Sequence, residues 1–220
     1  MPDVLLFSGW GFAADSLRPV QEALAARGIH AECVGLEAFA QPHNLPRCAW
    51  FGWSLGGQLA LTHAAECQPK TLMTFGSNLS FTQRADWPWG MPLDTFNAFA
   101  EGFAQAPAAT LKRFTMLCSQ GDANARALAR QLQSLLREAD DPLLAQGLLD
   151  LASIDNRPAL AAYQSPQRHW LAADDGLVAA DCLSAFAEHA ERIDNASHAW
   201  PISHPQLLAE RIAAFMGRNA

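Results

Sequence analysis

Charge is scarce in this chain. Asp, Glu, Lys and Arg make up 17% of its 220 residues, below the quarter or so usual for soluble domains, and the balance is acidic at net −7. So little charge beside 50% hydrophobic content excludes an extended disordered chain. The negative balance argues against a general nucleic-acid binder. Long apolar runs are also missing. None approaches the roughly 20 residues that span a bilayer, and no basic stretch leading into an apolar run opens the sequence. The expectation is a cytoplasmic monomer without nucleic-acid or membrane contact. Cys33, Cys48, Cys67, Cys118 and Cys182 are odd in number, widely spaced and without a Cys-x-x-Cys pair. That excludes a disulfide framework or a zinc site and suits reduced thiols, read here as small buried apolar residues. There is no internal repeat and no low-complexity linker. What remains is a chain long enough to bury one core, with room for an inserted subdomain.

What is present centres on residues 52–57, Gly-Trp-Ser-Leu-Gly-Gly, with Ser54 between glycines two positions away on each side. This is the Gly-x-Ser-x-Gly elbow, in which a strand turns sharply into a helix with a nucleophilic serine at the apex. A side chain at Gly52 or Gly56 would collide with neighbouring backbone, and the serine itself is strained. The competing reading is a glycine-rich packing turn. The flanks favour the elbow: a strand-like run Arg47–Phe51 precedes it and a helix-forming run Gln58–Ala65 follows.

Strand and helix patterns alternate around it. Strands are expected at Asp3–Ser8, His30–Gly35, Arg47–Trp53, Thr71–Gly76, Arg168–Ala173 and Glu191–Asp194, and a helix at about Ser16–Ala26 that stops at Gly28. Strands joined by helical crossovers give an α/β fold, a mostly parallel sheet with helices on both faces. Residues 82–166 differ. They begin with Asp86-Trp87-Pro88-Trp89 and continue as four or five helical pieces without a strand. One carries Phe96, Phe99 and Phe103 at helical spacing; Pro107 opens another to Ser119; Asp122 caps one to about Ala139; Asp141-Pro142 opens the next. An all-helical insertion between strands reads as a lid over the sheet's C-terminal edge. The division expected is a core of residues 1–81 and 167–220 with a lid at 82–166. The phenylalanines suit either the lid's own core or a substrate-lining surface.

A serine nucleophile needs a base to take its proton and an acid to orient that base, in the chain order Ser, Asp or Glu, His. Of seven histidines, His30, His43 and His63 fall in the wrong order, His169 sits in a strand and His189 in a surface helix. His198, in the loop after the last strand, is preferred to His204, which reads as a helix-entry residue before Pro205. The acid belongs in Ala173-Asp174-Asp175-Gly176, where Asp175 beside the glycine is preferred and Asp174 becomes a solvated neighbour. Backbone N–H donors for the oxyanion are expected at Leu55, after the nucleophile, and at Trp10 in the loop after the first strand.

Gly9-Trp10-Gly11, Gly52-Trp53-Ser54-Leu55-Gly56-Gly57, Asp86-Trp87-Pro88, Asp175-Gly176-Leu177-Val178 and His198-Ala199 with Ile202-Ser203-His204-Pro205 occur together and in order. On these residues the chain resembles the α/β-hydrolase carboxylesterases of biotin synthesis that act on pimeloyl-acyl-carrier-protein methyl ester. The similarity runs over nearly the whole chain, lid included. It implies an α/β-hydrolase fold, a triad of Ser54, Asp175 and His198, oxyanion donors at Trp10 and Leu55, and demethylation of a pimeloyl ester held on an acidic acyl carrier protein. Such chemistry needs no metal or organic cofactor. The alternative is a short-chain carboxylesterase or thioesterase that does not depend on a carrier.

Charge in the lid bears on that choice. Between Pro107 and Arg137 stand Lys112, Arg113, Arg126, Arg130 and Arg137 against Asp122, so 5 − 1 = +4 inside a chain of net −7. Such a patch steers an acidic partner, although a solvated helix face has the same composition. The resemblance assigns carrier binding to Arg113, Arg126 and Arg130, while a further family arginine position is Ala109 here. Two other departures stand out. Ser8 replaces the family's histidine before the oxyanion loop. The segment 37–46 is too short for the usual crossover helix, and the leading antiparallel strands are absent, which describes a trimmed core.

Overall fold

The computed structural model describes residues 1–218. Six strands form one parallel sheet in the order β2-β1-β3-β4-β5-β6: β1 Val4–Phe7, β2 Ala31–Val34, β3 Ala49–Trp53, β4 Thr71–Phe75, β5 Gln167–Ala172 and β6 Ala190–Ile193. The two central runs, Ala-Trp-Phe-Gly-Trp and Thr-Leu-Met-Thr-Phe, are buried at every position, as strands covered on both faces must be. The edge strands β2 and β6 are each buried at one end and more exposed along the rest. β1 to β2 steps one way across the sheet and β3 to β4 the other. Right-handed crossovers therefore put α1 (Arg18–Ala25) and α2 (Leu55–Cys67) on opposite faces. The terminal helix Pro205–Arg218 packs against α1.

The order reverses between β1 and β3, the position where open α/β sheets bind ligands. Phe7 pairs with Gly52 across that boundary, which sets the loop after β1 beside Ser54. The fold thus brings two expected parts of the site together before any side chain is considered.

Between β2 and β3 no α-helix forms, as the short segment implied. Two 3-10 turns, Leu36–Ala40 and Pro42–Asn44, replace it. Phe39 fills the resulting gap, its ring 4.6 Å from Phe7 and edge-on to Trp50. Burying such a ring contributes roughly 1.5–3 kcal/mol, so one side chain does much of the missing helix's covering.

The insertion holds α3 (Leu93–Gln105), α4 (Pro107–Ser119), α5 (Ala125–Gln133), α6 (Pro142–Ser153) and α7 (Arg157–Ala162), the last packed on α2. Asp141 caps α6 by accepting the Leu143 N–H at 2.9 Å. The expected helix from Asp122 to Ala139 is shorter than that. Asn124 is its N-cap residue, and Asp122 instead accepts the Asn124 N–H in the preceding turn. The chain leaves α5 at Ser134 because the next residues pair with the loop after β1: Ala13 N–H donates to Leu135 and Arg137 N–H to Gly11. Where the insertion begins and ends, Arg157 pairs with Asp86 and Asp155 at 2.7 and 2.6 Å, over the buried Trp87. No helix of the described residues is long and apolar enough to cross a membrane.

Candidate active site

Ser54 caps α2 at φ 56° and ψ −123°, a left-handed conformation that strains any residue but glycine. Its surroundings hold it there. The Ser54 N–H donates to Phe75 at 2.8 Å, and its carbonyl accepts the Ser77 hydroxyl at 2.7 Å. A Cβ on Gly52 would overlap the Gly57 backbone, and one on Gly56 would overlap the carbonyl of Ser8.

The serine hydroxyl lies 2.9 Å from Nε2 of His198, and Nδ1 of that ring lies 2.8 Å from Oδ2 of Asp175. The second carboxylate oxygen accepts the N–H groups of Leu177 and Val178 at 2.8 and 3.0 Å. A carboxylate only accepts, so the Nδ1–H donates to it and Nε2 is left free to accept the Ser54 proton. His198 and the Asp175 side chain are each only 1% exposed, which strengthens every charge interaction in the chain of contacts. Asp174, the rival acid, is exposed.

The other histidines lie apart from Ser54. His204 bonds Ser203 and stacks on Trp200; His63 stacks on Phe39; His43 pairs with Glu66. His169 is buried between the Thr74 hydroxyl and Gln167, and burial pushes its pKa down to about 3.

The loop after β1 supplies Trp10. Its backbone N–H, and that of Leu55 at the first turn of α2, have no acceptor among the described residues. Leu55 follows Ser54 in the chain, and the loop comes close to it at Gly9, where an added Cβ would stand 3.1 Å from Ser54 Cβ. Ser8, in place of the expected histidine, donates its hydroxyl to Phe12 at 3.3 Å and so closes the loop on itself. Gly11, at φ +85°, makes the turn possible.

Beside Trp10 the insertion encloses a cavity of only about 30 Å³, walled by Phe81, Phe96, Phe99, Phe114 and Leu177 among others. Three of the insertion's four phenylalanines, Phe96, Phe99 and Phe114, line this space. Phe103 instead packs edge-on to Trp10 at 5.5 Å. A much larger cavity, about 760 Å³, lies elsewhere, between Trp87, Trp89, α7 and Phe186. Size does not mark the site here. The contacts among Ser54, His198 and Asp175 do, because they have the geometry that a nucleophile, base and acid require.

Of the five cations between Pro107 and Arg137, Lys112, Arg113, Arg126 and Arg130 are exposed on α4 and α5, and none has an acidic partner among the described residues. Arg113 donates to Thr110 at 3.2 Å. Arg137 is different: half-buried, it pairs with Asp141 at 2.7 Å and donates to the Phe12 carbonyl. It braces the loop after β1, and the open patch contains four cations, not five.

Several supporting contacts had no clear signal in the sequence. Trp53 Nε1 donates to the His198 carbonyl at 2.8 Å, and Ala199 N–H donates to Cys118 of the lid at 3.0 Å. Trp10 Nε1 donates to the Leu144 carbonyl on α6 at 2.8 Å. The distinctive Trp within Gly-Trp-Ser-Leu-Gly-Gly was the single visible hint. All five cysteines are free, four buried and Cys33 half-buried; burial pushes the Cys33 and Cys182 thiols up to about 11 and about 12.

No protein-family model matches the chain. Among characterised proteins it is 34% identical, over 97% of its length, to the biotin biosynthesis bifunctional protein BioHC of Cellvibrio japonicus, of which it spans 47%. The corresponding Teredinibacter turnerae protein is 35% identical over 77% of this chain, which spans 33% of it. The chain thus covers half or less of these two-function relatives. It is 32% identical to the pimeloyl-[acyl-carrier protein] methyl ester esterase of Xanthomonas campestris, across 98% of this chain and 95% of that one. Among solved structures, an esterase from Exiguobacterium antarcticum superposes with a TM-score of 0.77 at 18% identity, covering 96% of this chain and 90% of that one. A bromoperoxidase from Bacillus anthracis gives 0.80 at 15%, covering 99% and 92%. Such identities establish the α/β-hydrolase fold alone.

Proposed function

Since the chain belongs to the pimeloyl-[acyl-carrier protein] methyl ester esterase family, we propose that it is a serine carboxylesterase that hydrolyses the methyl ester of a pimeloyl group on an acyl carrier protein. The single observation that carries the reading is the Ser54–His198–Asp175 chain of contacts at 2.9 and 2.8 Å. His198 Nε2 accepts the Ser54 proton as Oγ attacks the ester carbonyl. The oxyanion is held by the N–H groups of Trp10 and Leu55, each worth about 3 kcal/mol at the transition state. His198 then passes the proton to the methoxy oxygen, methanol leaves, and the acyl group remains on Ser54. A water deprotonated by the same imidazole attacks the acyl-enzyme, and collapse releases the free carboxylate and regenerates Ser54.

Carrier recognition falls to Arg113, Arg126 and Arg130, with Lys112 beside them on the lid. Four exposed cations without acidic partners, in a chain of net −7, support attraction of an acidic protein. We take residues 82–166 as the lid, the cytoplasm as the compartment and a monomer as the working form; five unpaired thiols support the second of these.

The cavity of about 30 Å³ favours a second reading, a hydrolase of short esters without a carrier, because ligand sites usually hold 300–1,000 Å³. On the main reading the lid opens to admit the pimeloyl chain. One experiment separates nucleophile from bystander: Ser54→Ala lowers turnover about a million-fold and abolishes fluorophosphonate labelling. Activity within tenfold of the parent removes the serine from the mechanism.

A further inference from the structure

A lid that must move to admit substrate raises the question of what its closed position does for the chemistry. One lid helix touches both proposed oxyanion donors. Gly147, buried in the middle of α6, faces them so closely that a Cβ there would stand 2.6 Å from Trp10 Cδ1 and 3.0 Å from Leu55 Cδ2. One turn earlier on the same helix, the Leu144 carbonyl accepts the Trp10 indole N–H at 2.8 Å. The indole has nowhere else to go. It is 2% exposed and sits edge-on to Phe99, Phe103 and Phe114 at 5.4, 5.5 and 4.9 Å. On the other side Arg137 holds the loop by donating to the carbonyls of Gly11 and Phe12.

Glycine inside a helix is unfavourable relative to alanine, so its presence on α6 asks for a reason. The structure offers one: only a residue without a side chain lets α6 sit flush on Trp10 and Leu55.

We propose that Gly147 and the Leu144 carbonyl make α6 the positioning element of the oxyanion hole, so that the Trp10 and Leu55 N–H groups reach their working geometry only when the lid is seated. This rests on the esterase reading above. Gly147 touches no reacting atom; it is a positioning residue that acts through the two donors. Opening α6 frees the indole and loosens the Trp10 backbone, and closing it over a substrate rebuilds the hole. Lid closure and transition-state stabilisation become one event.

The test uses the whole protein, p-nitrophenyl butyrate as substrate and phenylboronic acid as a tetrahedral-adduct inhibitor. Gly147→Ala lowers kcat tenfold or more with KM changed less than threefold, and weakens boronate inhibition in parallel. Outright loss of a donor costs about 10²–10³, so a displaced one falls at or below that range. Gly102→Ala is the matched control on α3, where the nearest atom to the added Cβ is 3.4 Å away, and leaves kcat unchanged. Trp10→Phe keeps the backbone N–H, removes the indole donor and gives the same kcat-specific loss; it decides the matter if Gly147→Ala does not fold by circular dichroism. Unchanged kcat, or a rise in KM alone, in the folded variants overturns the inference. Wild-type protein that neither hydrolyses the ester nor labels with fluorophosphonate overturns the esterase reading beneath it, and the inference with it.

Discussion

Replacing Asp175 by Asn changes one atom type and should stop the reaction. Asp175 Oδ1 accepts two backbone N–H groups, from Leu177 and Val178. An asparagine keeps its carbonyl oxygen on those donors, since turning the amide over would set its NH₂ against two N–H groups. The NH₂ therefore faces His198 Nδ1, which in the parent lies 2.8 Å from Oδ2. Two donors cannot share that contact, so the imidazole switches tautomer: Nδ1 becomes the acceptor and Nε2 carries the hydrogen. Nε2 can then no longer take the proton of Ser54, 2.9 Å away. In serine hydrolases the same change costs about 10⁴ in kcat, equivalent to about 5.4 kcal/mol of barrier. KM and thermal stability should change little, because the volume and both backbone hydrogen bonds are retained. Asp174→Asn, one position away and exposed, is the internal control. The assay is kcat on a p-nitrophenyl ester with melting temperature measured in parallel. If Asp175→Asn keeps activity within tenfold of the parent, or Asp174→Asn loses as much, the tautomer reasoning fails.

Three further outcomes are expected. Arg126→Glu with Arg130→Glu lowers kcat/KM on a carrier-bound ester tenfold or more at low salt and leaves hydrolysis of a small soluble ester unchanged; equal effects on both substrates remove the carrier-docking role. Stability falls as pH drops from 6.5 toward 3, because His169 is held neutral in the fold with a pKa near 3 while the unfolded chain takes up its proton at about 6.5. The loss approaches 1.4 kcal/mol per pH unit, and chemical denaturation between pH 6.5 and 4.5 should give a flatter profile for His169→Gln; an unaltered slope contradicts the assignment. Gly52→Ala puts a methyl group into the Gly57 backbone, so soluble yield and fluorophosphonate labelling should both collapse; a well-folded, labelled variant refutes the steric account of the elbow.

Much of the fold could be read from the chain because its signals are local. Short strand-like runs marked all six strands to within two residues. The missing crossover helix followed from counting residues 37–46. The chain order Ser, Asp, His selected side chains that the structure brings into contact. What stayed hidden depends on tertiary packing. The helix expected from Asp122 to Ala139 stops at Gln133 because Leu135–Arg137 pair with the loop after β1, a partner more than a hundred residues away. Arg137 looked like part of a basic patch and is a brace, since its partners Asp141, Glu37 and Phe12 come from three separate segments. Nothing in the pattern around Gly147 announces that a lid glycine rests on Trp10 and Leu55.

The most direct test of the central claim compares kcat/KM at low salt for pimeloyl-carrier-protein methyl ester with that for the same ester on a small pantetheine thiol. A large preference for the carrier that collapses with added salt, and is lost in the Ser54→Ala protein along with all turnover, is the predicted result. Equal rates on the two substrates would contradict a carrier-dependent esterase and leave a serine hydrolase of small esters whose basic lid is only a solvated surface.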